Sequence, residues 1–166
     1  MILVVDVDYR DTTANTAALV FENFSDESPL SSYTKIIENI VEYEPGEFYK
    51  RELPCILEIL KTVKEKIDLI IVDGYVWLDS DKKPGLGGHL YKSLSDKIPV
   101  IGVAKRSFHA KNDKMLKISR GQSANPLYIT SVGIELEIAA DLILNMHGIY
   151  RIPTLLKKVD QLCRDW

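Results

Sequence analysis

The chain has 166 residues, of which 46% are hydrophobic and 27% charged, and its formal net charge is −3. This size and composition predict one globular domain over residues 1–166 with a substantial core. The slight acidic excess argues against a protein that coats nucleic acid non-specifically. It is compatible with an enzyme that uses metal ions to bridge its acids and a phosphate backbone.

No apolar run reaches the roughly 18 residues of a membrane span, so we expect no membrane partner. No basic region followed by an apolar signal stretch opens the chain. Cys55 and Cys163 lie far apart and in no metal-ligand spacing. These features favour a reducing, cytoplasmic location.

The first half of the chain predicts three strands and one helix. Residues 2–9 form an apolar strand, and residues 15–24 and 32–42 are also typical of extended structure, with turn-forming residues between them. Short links between the strands predict an antiparallel meander. Apolar residues at helical spacing follow Pro45-Gly46, namely Leu53, Ile56, Leu57, Leu60 and Val63.

The second half alternates strands and helices. The runs at 67–75 (IDLIIVDGY) and 98–105 (IPVIGVAK) are typical of strands buried on both faces with parallel partners. Residues 109–124 are polar and basic, and predict a loop or a short extended excursion. The other predicted elements are a helix over about 87–96, a strand over 125–132, a helix over about 133–147 and a helix after Pro153.

A meander that leads into parallel strands with crossover helices predicts an α/β fold. Its sheet is mixed, with helices on both faces. This is the outline of a ribonuclease H-like fold, although many α/β domains share parts of the element order.

Three carboxylates stand where a metal-dependent catalyst needs them. Asp6 lies in the first strand, Asp73 ends the strand at 67–75, and Glu52 lies near the start of the first helix. The carboxyl ends of parallel strands are where α/β sheets bind ligands. A hard divalent ion held by carboxylates polarises a phosphoryl oxygen and activates water. The alternatives are a plain turn at Asp73-Gly74 and a surface position for Glu52.

Several segments resemble the endonuclease V family. The strand DVDY at 6–9 is similar to the family's DVSY-type opening. The segment YEPGEFYKRELP at 43–54 matches Y-x-P-G-x-L-x-F-R-E-x-P at nearly every fixed position. DLIIVDG at 68–74 matches a family strand that ends in V-D-G, and IPVIGVAK is close to V-P-T-I-G-V-A-K. Further similar segments are GLGGHL at 85–90, NPLYITS at 125–131 and YRIP at 150–153.

The resemblance implies an activity and a set of catalytic residues. Endonuclease V enzymes cut nucleic acid one phosphodiester bond to the 3′ side of a deaminated base, typically hypoxanthine in deoxyinosine or inosine. Their cofactor is magnesium or manganese. By motif matching, Asp6 and Asp73 would bind the metal and Glu52 would hold a metal-bound water. Lys105 would neutralise charge near the scissile phosphate, the alternative being a solvated lysine at a strand end.

The resemblance also implies a pocket for a base flipped out of the stack. The backbone must approach a flat base closely, which favours glycine. Motif matching gives Gly46, Gly74 and Gly85, whose amides are candidates for reading the O6 of hypoxanthine. Tyr43 and Pro45 match the family's wedge, which fills the vacated stack. A plain turn at Pro45-Gly46 and a half-buried strand-end tyrosine are the alternatives.

The chain departs from the family in four places, one of which is Glu47, where an apolar residue usually follows the glycine. Family members usually carry a helix before the first strand, which here starts at residue 2, so we expect a monomer or a dimer that covers this face. The loop GYVWLDSDKKP stands where the family has G-H-G-x-x-H-P-R, and Lys82 and Lys83 supply charge there without a bidentate contact. No histidine follows NPLYITS, where the family carries a catalytic one.

Other charged residues near these motifs have open roles. Glu135 and Glu137 are candidates for a further metal ligand, or are exposed helical glutamates. Asp8 shares a strand face with Asp6 and is expected at the rim of the site. Glu47 places negative charge near the wedge. Basic residues in the following stretch either compensate for that charge or form a solvated loop, namely Lys105, Arg106, Lys111, Lys114, Lys117 and Arg120.

The retained acids and Lys105 predict a metal-dependent endonuclease that acts on DNA or RNA, in DNA repair or RNA processing. The departures lead us to expect reduced activity or altered specificity. A non-catalytic or weakly active nucleic-acid-binding relative is one alternative. A structural subunit of a complex is another, and acids more than about 10 Å apart would support it, because no single magnesium ion bridges such a distance.

Overall fold

The first three strands of the computed structural model, which describes residues 1–166, form an antiparallel meander. β1 (Ile2–Arg10) pairs along its length with β2 (Thr13–Phe21), and β2 pairs with β3 (Ser31–Ile37). Most of β1 and β2 is buried, because their alternating side chains face two apolar layers. β3 alternates half-buried and exposed residues, as is typical of an edge strand.

Two parallel strands follow, each reached through a helix. α1 (Tyr49–Leu60) leads to β4 (Leu69–Asp73), which runs parallel to β1. α2 (Leu86–Ser93) leads to β5 (Val100–Ala104), which runs parallel to β4. The carboxyl ends of β4 and β5 therefore lie at the same edge of the sheet.

The remaining strands are antiparallel. β6 (Leu116–Ile118) pairs with β7 (Leu127–Val132), and β7 pairs with β5. The seven-stranded sheet has the order β3-β2-β1-β4-β5-β7-β6. Parallel and antiparallel pairs in one sheet confirm the predicted mixed α/β architecture.

Four helices cover the two faces of this sheet. α1 and α2 pack on the face that carries Leu3 and Val5. α3 (Leu136–Leu144) and α4 (Thr154–Arg164) pack on the face that carries Ile2 and Val4. Burial of each such side chain contributes about 1.5–3 kcal/mol. Alternation along β1 then puts Asp6 on the face covered by α4.

The predicted ends of strands and helices are wrong mainly where a residue adopts a left-handed backbone conformation. The third strand ends at Ile37 rather than at residue 42, because Asn39 has a φ of 60° that no strand contains. The helix expected from residue 133 begins at Leu136, because Gly133 has a φ of 78°. No helix is both long enough and apolar enough to cross a membrane.

Candidate active site

Asp6 and Asp73 are neighbours on parallel strands. The register pairs Val5 with Val72, so the next residue along each strand is an aspartate. Asp6 is only 9% exposed, and its Oδ1 accepts a hydrogen bond from the amide of Val7 at 2.9 Å. Burial, and then the negative charge of Asp73, raise the pKa of Asp6 to about 7. The two acids thus meet where β4 ends.

Glu52 approaches the same point from the first turn of α1. It is 4% exposed, and its Oε2 has no hydrogen-bond partner. Burial, and then the charges of Asp6 and Asp73, raise the pKa of Glu52 well above its ordinary value. A buried carboxylate without partners is costly unless it is protonated or faces a cation. The alternative of a surface glutamate is therefore wrong.

Lys105 follows β5 and supplies positive charge beside these acids. Its Nζ lies 3.3 Å from Oδ2 of Asp73. Burial lowers the pKa of Lys105, but the charges of Asp73 and Asp6 outweigh it and raise the pKa above the usual value. The side chain is partly exposed, so the ammonium faces both the acids and solvent.

The helix α4 adds an acid that the motifs did not predict. A carboxylate oxygen of Asp160, one of Asp6 and the Sγ of Cys163 all lie within 4.8 Å of one another. Burial raises the pKa of Asp160, but a 2.9 Å hydrogen bond and ion pair with Arg164 outweigh it and lower the pKa. One feature of the sequence could have indicated Asp160. It directly follows Val159, which lies on the buried stripe of an amphipathic helix.

These carboxylates suit a hard divalent ion. Asp6, Asp73, Glu52 and Asp160 offer only oxygen ligands, which Mg²⁺ and Mn²⁺ prefer. The raised pKa of Asp6 and the unpartnered Oε2 of Glu52 reflect repulsion and lost solvation. A cation would offset both effects. Carboxylate oxygens of Asp6 and Asp160 lie within 4.8 Å of each other, which is close enough for one ion to contact both residues.

An aromatic pocket of about 270 Å³ begins directly after Asp73. Four of the predicted substrate-binding residues line it, namely Tyr43, Gly46, Gly74 and Gly85. Pro45 lines an adjoining groove that Gly46 shares with the pocket. The structure therefore brings together all five residues that motif matching selected for the base. The other pocket residues are Phe48, Tyr49, Tyr75, Leu78, Leu86 and Phe108.

The three glycines of the pocket differ in what their amides can bind. The amide of Gly74 donates to the carbonyl of Val103 at 3.1 Å, and that of Gly85 to the carbonyl of Val76 at 2.9 Å. The expectation that these two amides read the base is therefore wrong. Gly46 is exposed with a φ of 79°, and its amide makes no hydrogen bond within the chain. It remains available to a ligand.

Gly85 serves the pocket by its lack of a side chain. A Cβ atom at this position would lie 2.5 Å from the carbonyl oxygen of Tyr75, which is too close for any other residue. The hydroxyl of Tyr75 donates to the carbonyl of Arg106 at 2.7 Å, which links the pocket wall to the segment after Lys105. Tyr75 was not predicted as a pocket residue, because the family loop differs there.

Two further unpredicted residues form the wall between pocket and groove. Tyr49 stacks on His89 with ring centroids 3.6 Å apart. Burial, and then the charge of Lys92, lower the pKa of His89. Lys83 lies in the same groove, whereas Lys82 lies over the ring of Trp77. Only Lys83 of the two lysines is thus beside the pocket.

Glu135 and Glu137 do not approach the acids. β7 is antiparallel to β5, and its last residue Val132 pairs with Val100, the first residue of β5. The two glutamates follow β7 and are exposed at the edge opposite Lys105. The hypothesis that either residue is a metal ligand is therefore wrong.

Asp8 binds the end of the chain rather than lying free at the rim. Its Oδ2 accepts a hydrogen bond from the indole of Trp166 at 3.0 Å and lies 3.7 Å from Nε of Arg10. The guanidinium of Arg10 also donates to the carbonyls of Trp166 and Arg164. This cluster ties the end of α4 to β1.

Two other charged residues have partners that change their expected roles. Glu47 forms an ion pair with Lys50, which also lies 3.5 Å from Glu44, so its negative charge near the wedge is partly neutralised. Arg120 is 4% exposed and donates to five backbone carbonyls between residues 144 and 151. It clamps the loop before α4 and does not compensate charge on the surface, contrary to expectation.

The sheet order and the acids at its edge define a ribonuclease H-like protein with an acidic centre beside a pocket. The sequence model of the endonuclease V family matches residues 1–133. The chain therefore belongs to the endonuclease V family, which is a family of nucleases. Endonuclease V of a Nostoc species is 28% identical over 178 aligned positions, covering 95% of this chain and 79% of the relative.

Solved structures agree with this assignment. Endonuclease V from Streptomyces avermitilis superposes with a TM-score of 0.75 at 26% identity, covering 98% of this chain and 79% of the other. Endonuclease V from Ciona intestinalis, solved with a DNA that contains an inosine followed by a ribo-adenosine, gives a TM-score of 0.80 at 17% identity. That match covers 98% of this chain and 83% of the other, and supports the shared fold.

Proposed function

We propose that the protein is a magnesium- or manganese-dependent endonuclease that cuts nucleic acid 3′ to a deaminated base. One catalytic domain over residues 1–166 would carry both the acids and the pocket. The observation that supports this most is the placement of Asp6, Glu52 and Asp73 directly beside the pocket. At about 270 Å³ the pocket lies near the lower end of ligand-site volumes, about 300–1,000 Å³, which suits one base better than a larger ligand.

The acids and Lys105 have complementary roles in this proposal. Asp6 and Asp73 would hold the ion, with Asp160 as a further ligand from the α4 side. A bound divalent ion polarises the phosphoryl oxygen and lowers the pKa of water. Glu52 would orient the attacking water and accept its proton, because its buried Oε2 has no other hydrogen-bond partner. Lys105 faces the phosphate oxygens and offsets their negative charge.

The free amide of Gly46 supplies selectivity for a deaminated base. Hypoxanthine carries an acceptor at O6, whereas adenine carries an amino donor at the same position. An amide donor therefore favours hypoxanthine and would be left unpaired against adenine. Tyr43 is 54% exposed at the mouth of the pocket, so its ring is free to replace the flipped base in the stack. The inosine in the Ciona intestinalis complex supports the same class of base.

Cleavage of defined oligonucleotides tests the proposal. Purified protein is incubated with Mg²⁺ or Mn²⁺ and strands of DNA or RNA that contain one inosine, uracil or abasic residue. We expect one cut 3′ to the inosine, no cut in chelator, and at least a 100-fold loss of rate in Asp73→Asn. Equal cutting of unmodified strands would refute the base specificity. Full activity in Asp73→Asn would refute the metal site.

A nucleic-acid-binding protein with little cleavage is the second candidate. One observation favours it: the segment after β7, where the family has its catalytic histidine, contains no histidine, and its Glu135 and Glu137 lie at the edge of the sheet opposite the acids. In the same experiment this candidate predicts that inosine strands bind with Mg²⁺ present but are not cut. The buried acids argue against this second candidate, because a protein that only binds a polyanion does not require them.

A further inference from the structure

A groove with basic and aromatic walls runs along the first turns of α4, outside the site described above. Its lining includes Tyr150, Arg151, Lys157 and Lys158, and no acidic residue lines it. Its volume of about 490 Å³ is nearly twice that of the aromatic pocket. We call it the α4 groove. Positive charge beside an exposed ring suits a ligand that carries both phosphates and flat bases.

The lysines of the α4 groove are free to meet such a ligand. Lys157 is exposed, and its ammonium makes no hydrogen bond or ion pair within the chain. Nζ of Lys158 donates to the backbone carbonyl of Glu27 at 3.1 Å, which leaves two of its three N–H donors. The carboxylate of Glu27 lies 3.9 Å from Nε2 of His147 instead of pairing with either lysine. The groove therefore keeps its positive charge.

Tyr150 presents its ring on a segment whose backbone is held in place. Tyr150 is 74% exposed and its neighbour Ile149 is 77% exposed. The carbonyl of Tyr150 accepts a hydrogen bond from Arg120 at 2.6 Å, as part of the clamp on residues 144–151. A Cβ at Gly121 would lie 2.6 Å from the carbonyl oxygen of Ile149, so the two backbone segments are in close contact. A ring on such a segment is preorganised for stacking, because little backbone order is lost on binding.

The α4 groove is continuous with the acidic centre. Ile152 lines the groove and also the narrow cleft that contains Asp6 and Asp73. The guanidinium of Arg151 donates to the carbonyl of Lys105 at 2.6 Å, which ties the wall of the groove to the segment beside the acids. The aromatic pocket lies on the other side, where α1 and α2 cover the sheet. The acids therefore lie between the pocket and the groove.

We propose that the α4 groove binds the single-stranded part of the substrate on the 3′ side of the cut. Because the proposed cut is 3′ to the flipped base, the strand runs from the pocket past the acids and continues along α4. Lys157 and Lys158 contact its phosphates, and Tyr150 stacks on one of its bases. A duplex offers no free base face to Tyr150. The direction of the strand rests on the proposed nuclease function, whereas the binding of single strands does not.

Fluorescence anisotropy in chelator measures this binding without any cleavage. The full-length protein is titrated into a labelled, unmodified thymidine strand of about 12 nucleotides at several salt concentrations. Lys157→Gln combined with Lys158→Gln should weaken binding at least about tenfold and reduce the salt slope by about 1.4, since each contact with a single-strand phosphate contributes about 0.7. Lys64→Gln combined with Lys66→Gln is the matched control, because both lysines are exposed and precede β4, at the edge opposite the acids. The control should bind like wild type.

Substitutions of Tyr150 test the stacking. Tyr150→Ala should weaken binding of the single strand at least about fivefold without a change in salt slope, and Tyr150→Phe should restore it because the ring is kept. Binding of a duplex of the same sequence should not respond to Tyr150→Ala. All variants are compared on protein with native circular dichroism. An equal loss in the lysine control, or full affinity in either Tyr150→Ala or the Lys157 and Lys158 double variant, would overturn the proposal.

Photocrosslinking tests the direction of the strand. 5-Iodouracil is placed either on the 3′ side of the cut position or on the 5′ side of an inosine, and the strand is irradiated with the protein in chelator. We expect a crosslink to Tyr150 from the 3′ position alone. Crosslinks from the 5′ position, or equally from both, would refute the direction. If the single-strand affinities follow the expected pattern but wild type cuts no inosine strand with Mg²⁺, the groove stands and the nuclease function fails.

Discussion

Replacing Asp6 by asparagine is expected to stabilise the metal-free protein while it abolishes cleavage. The pKa of Asp6 is raised from 3.8 to about 7 by burial and by Asp73. At 1.36 kcal/mol per pKa unit, the charged form costs the fold about 4 kcal/mol at most. Asparagine is nearly isosteric and keeps an oxygen for the amide of Val7. We expect a gain of about 2 kcal/mol at pH 8, or about 4–8 °C in Tm for a domain of this size.

The pH dependence of this gain follows from the direction of the pKa shift. Below pH 3.8 the carboxyl is protonated in both the folded and the unfolded state, so the substitution changes little. Between 3.8 and about 7 the folded state binds more protons than the unfolded one, so wild type loses stability relative to Asp6→Asn as pH rises. Above pH 7 the difference is constant. Added Mg²⁺ should reverse the sign of the stability difference. Only wild type retains the full set of metal ligands, so only wild type is stabilised by binding of the ion.

Urea unfolding of both proteins in chelator from pH 4 to pH 8, followed by circular dichroism, measures this difference. Asp96→Asn is the control, since Asp96 is exposed and its side chain makes no hydrogen bond. A loss of stability in Asp6→Asn at pH 8, or a difference that is the same at pH 4 and pH 8, would refute the electrostatic reasoning. A response of the control as large as that of Asp6→Asn would do the same.

Three further substitutions test the pocket and the docking of α4. Gly85→Ala puts a Cβ at 2.5 Å from the carbonyl of Tyr75, so the backbone of the pocket must shift, and binding of an inosine strand, measured by fluorescence anisotropy on protein with native circular dichroism, should weaken at least tenfold; unchanged affinity would contradict the pocket assignment. Arg120→Met leaves five carbonyls without their donor and should lower the free energy of unfolding by about 3 kcal/mol in urea melts. Trp166→Phe removes the indole hydrogen bond to Asp8 and should cost about 1 kcal/mol and lower the cleavage rate; a change in stability with no change in rate would show that this bond does not position α4 for cleavage.

The strands and helices could largely be predicted from apolar periodicity, because each element buries a face that the sequence displays. Ile2 to Val7 is continuous apolar sequence apart from Asp6, and it is a buried central strand. The left-handed residues Asn39 and Gly133 set the boundaries that periodicity missed. Nothing in the local pattern indicates such a φ for Asn39, since asparagine adopts several conformations.

Residues of the candidate site could be predicted where a sequence motif surrounds them. They could not be predicted where only the tertiary structure places them next to the other site residues. Asp73 ends an apolar strand and Glu52 lies in a long motif, so both stood out. Glu135 was considered as a further metal ligand because it follows the segment at which the family changes, whereas Asp160 lies in no motif and was not considered. The antiparallel direction of β7 puts that segment at the opposite edge of the sheet, and a direction of this kind is not visible in a strand's own residues.

The position of α4 is the feature on which the acidic centre depends, and it is set by polar contacts far apart in the chain. Asn15 on β2 donates to the carbonyl of Cys163 at 2.9 Å in a buried position. Asp8 and Arg10 hold the segment after α4, and Arg120 clamps the loop before it. Apolar packing is non-directional, so by itself it fixes the position of the helix on the sheet less sharply than hydrogen bonds do. The buried hydrogen bonds of Asn15 and Arg120 oppose a shift of α4, because a shift would leave buried polar groups unpaired. They place the carboxylate of Asp160 and the thiol of Cys163 against Asp6.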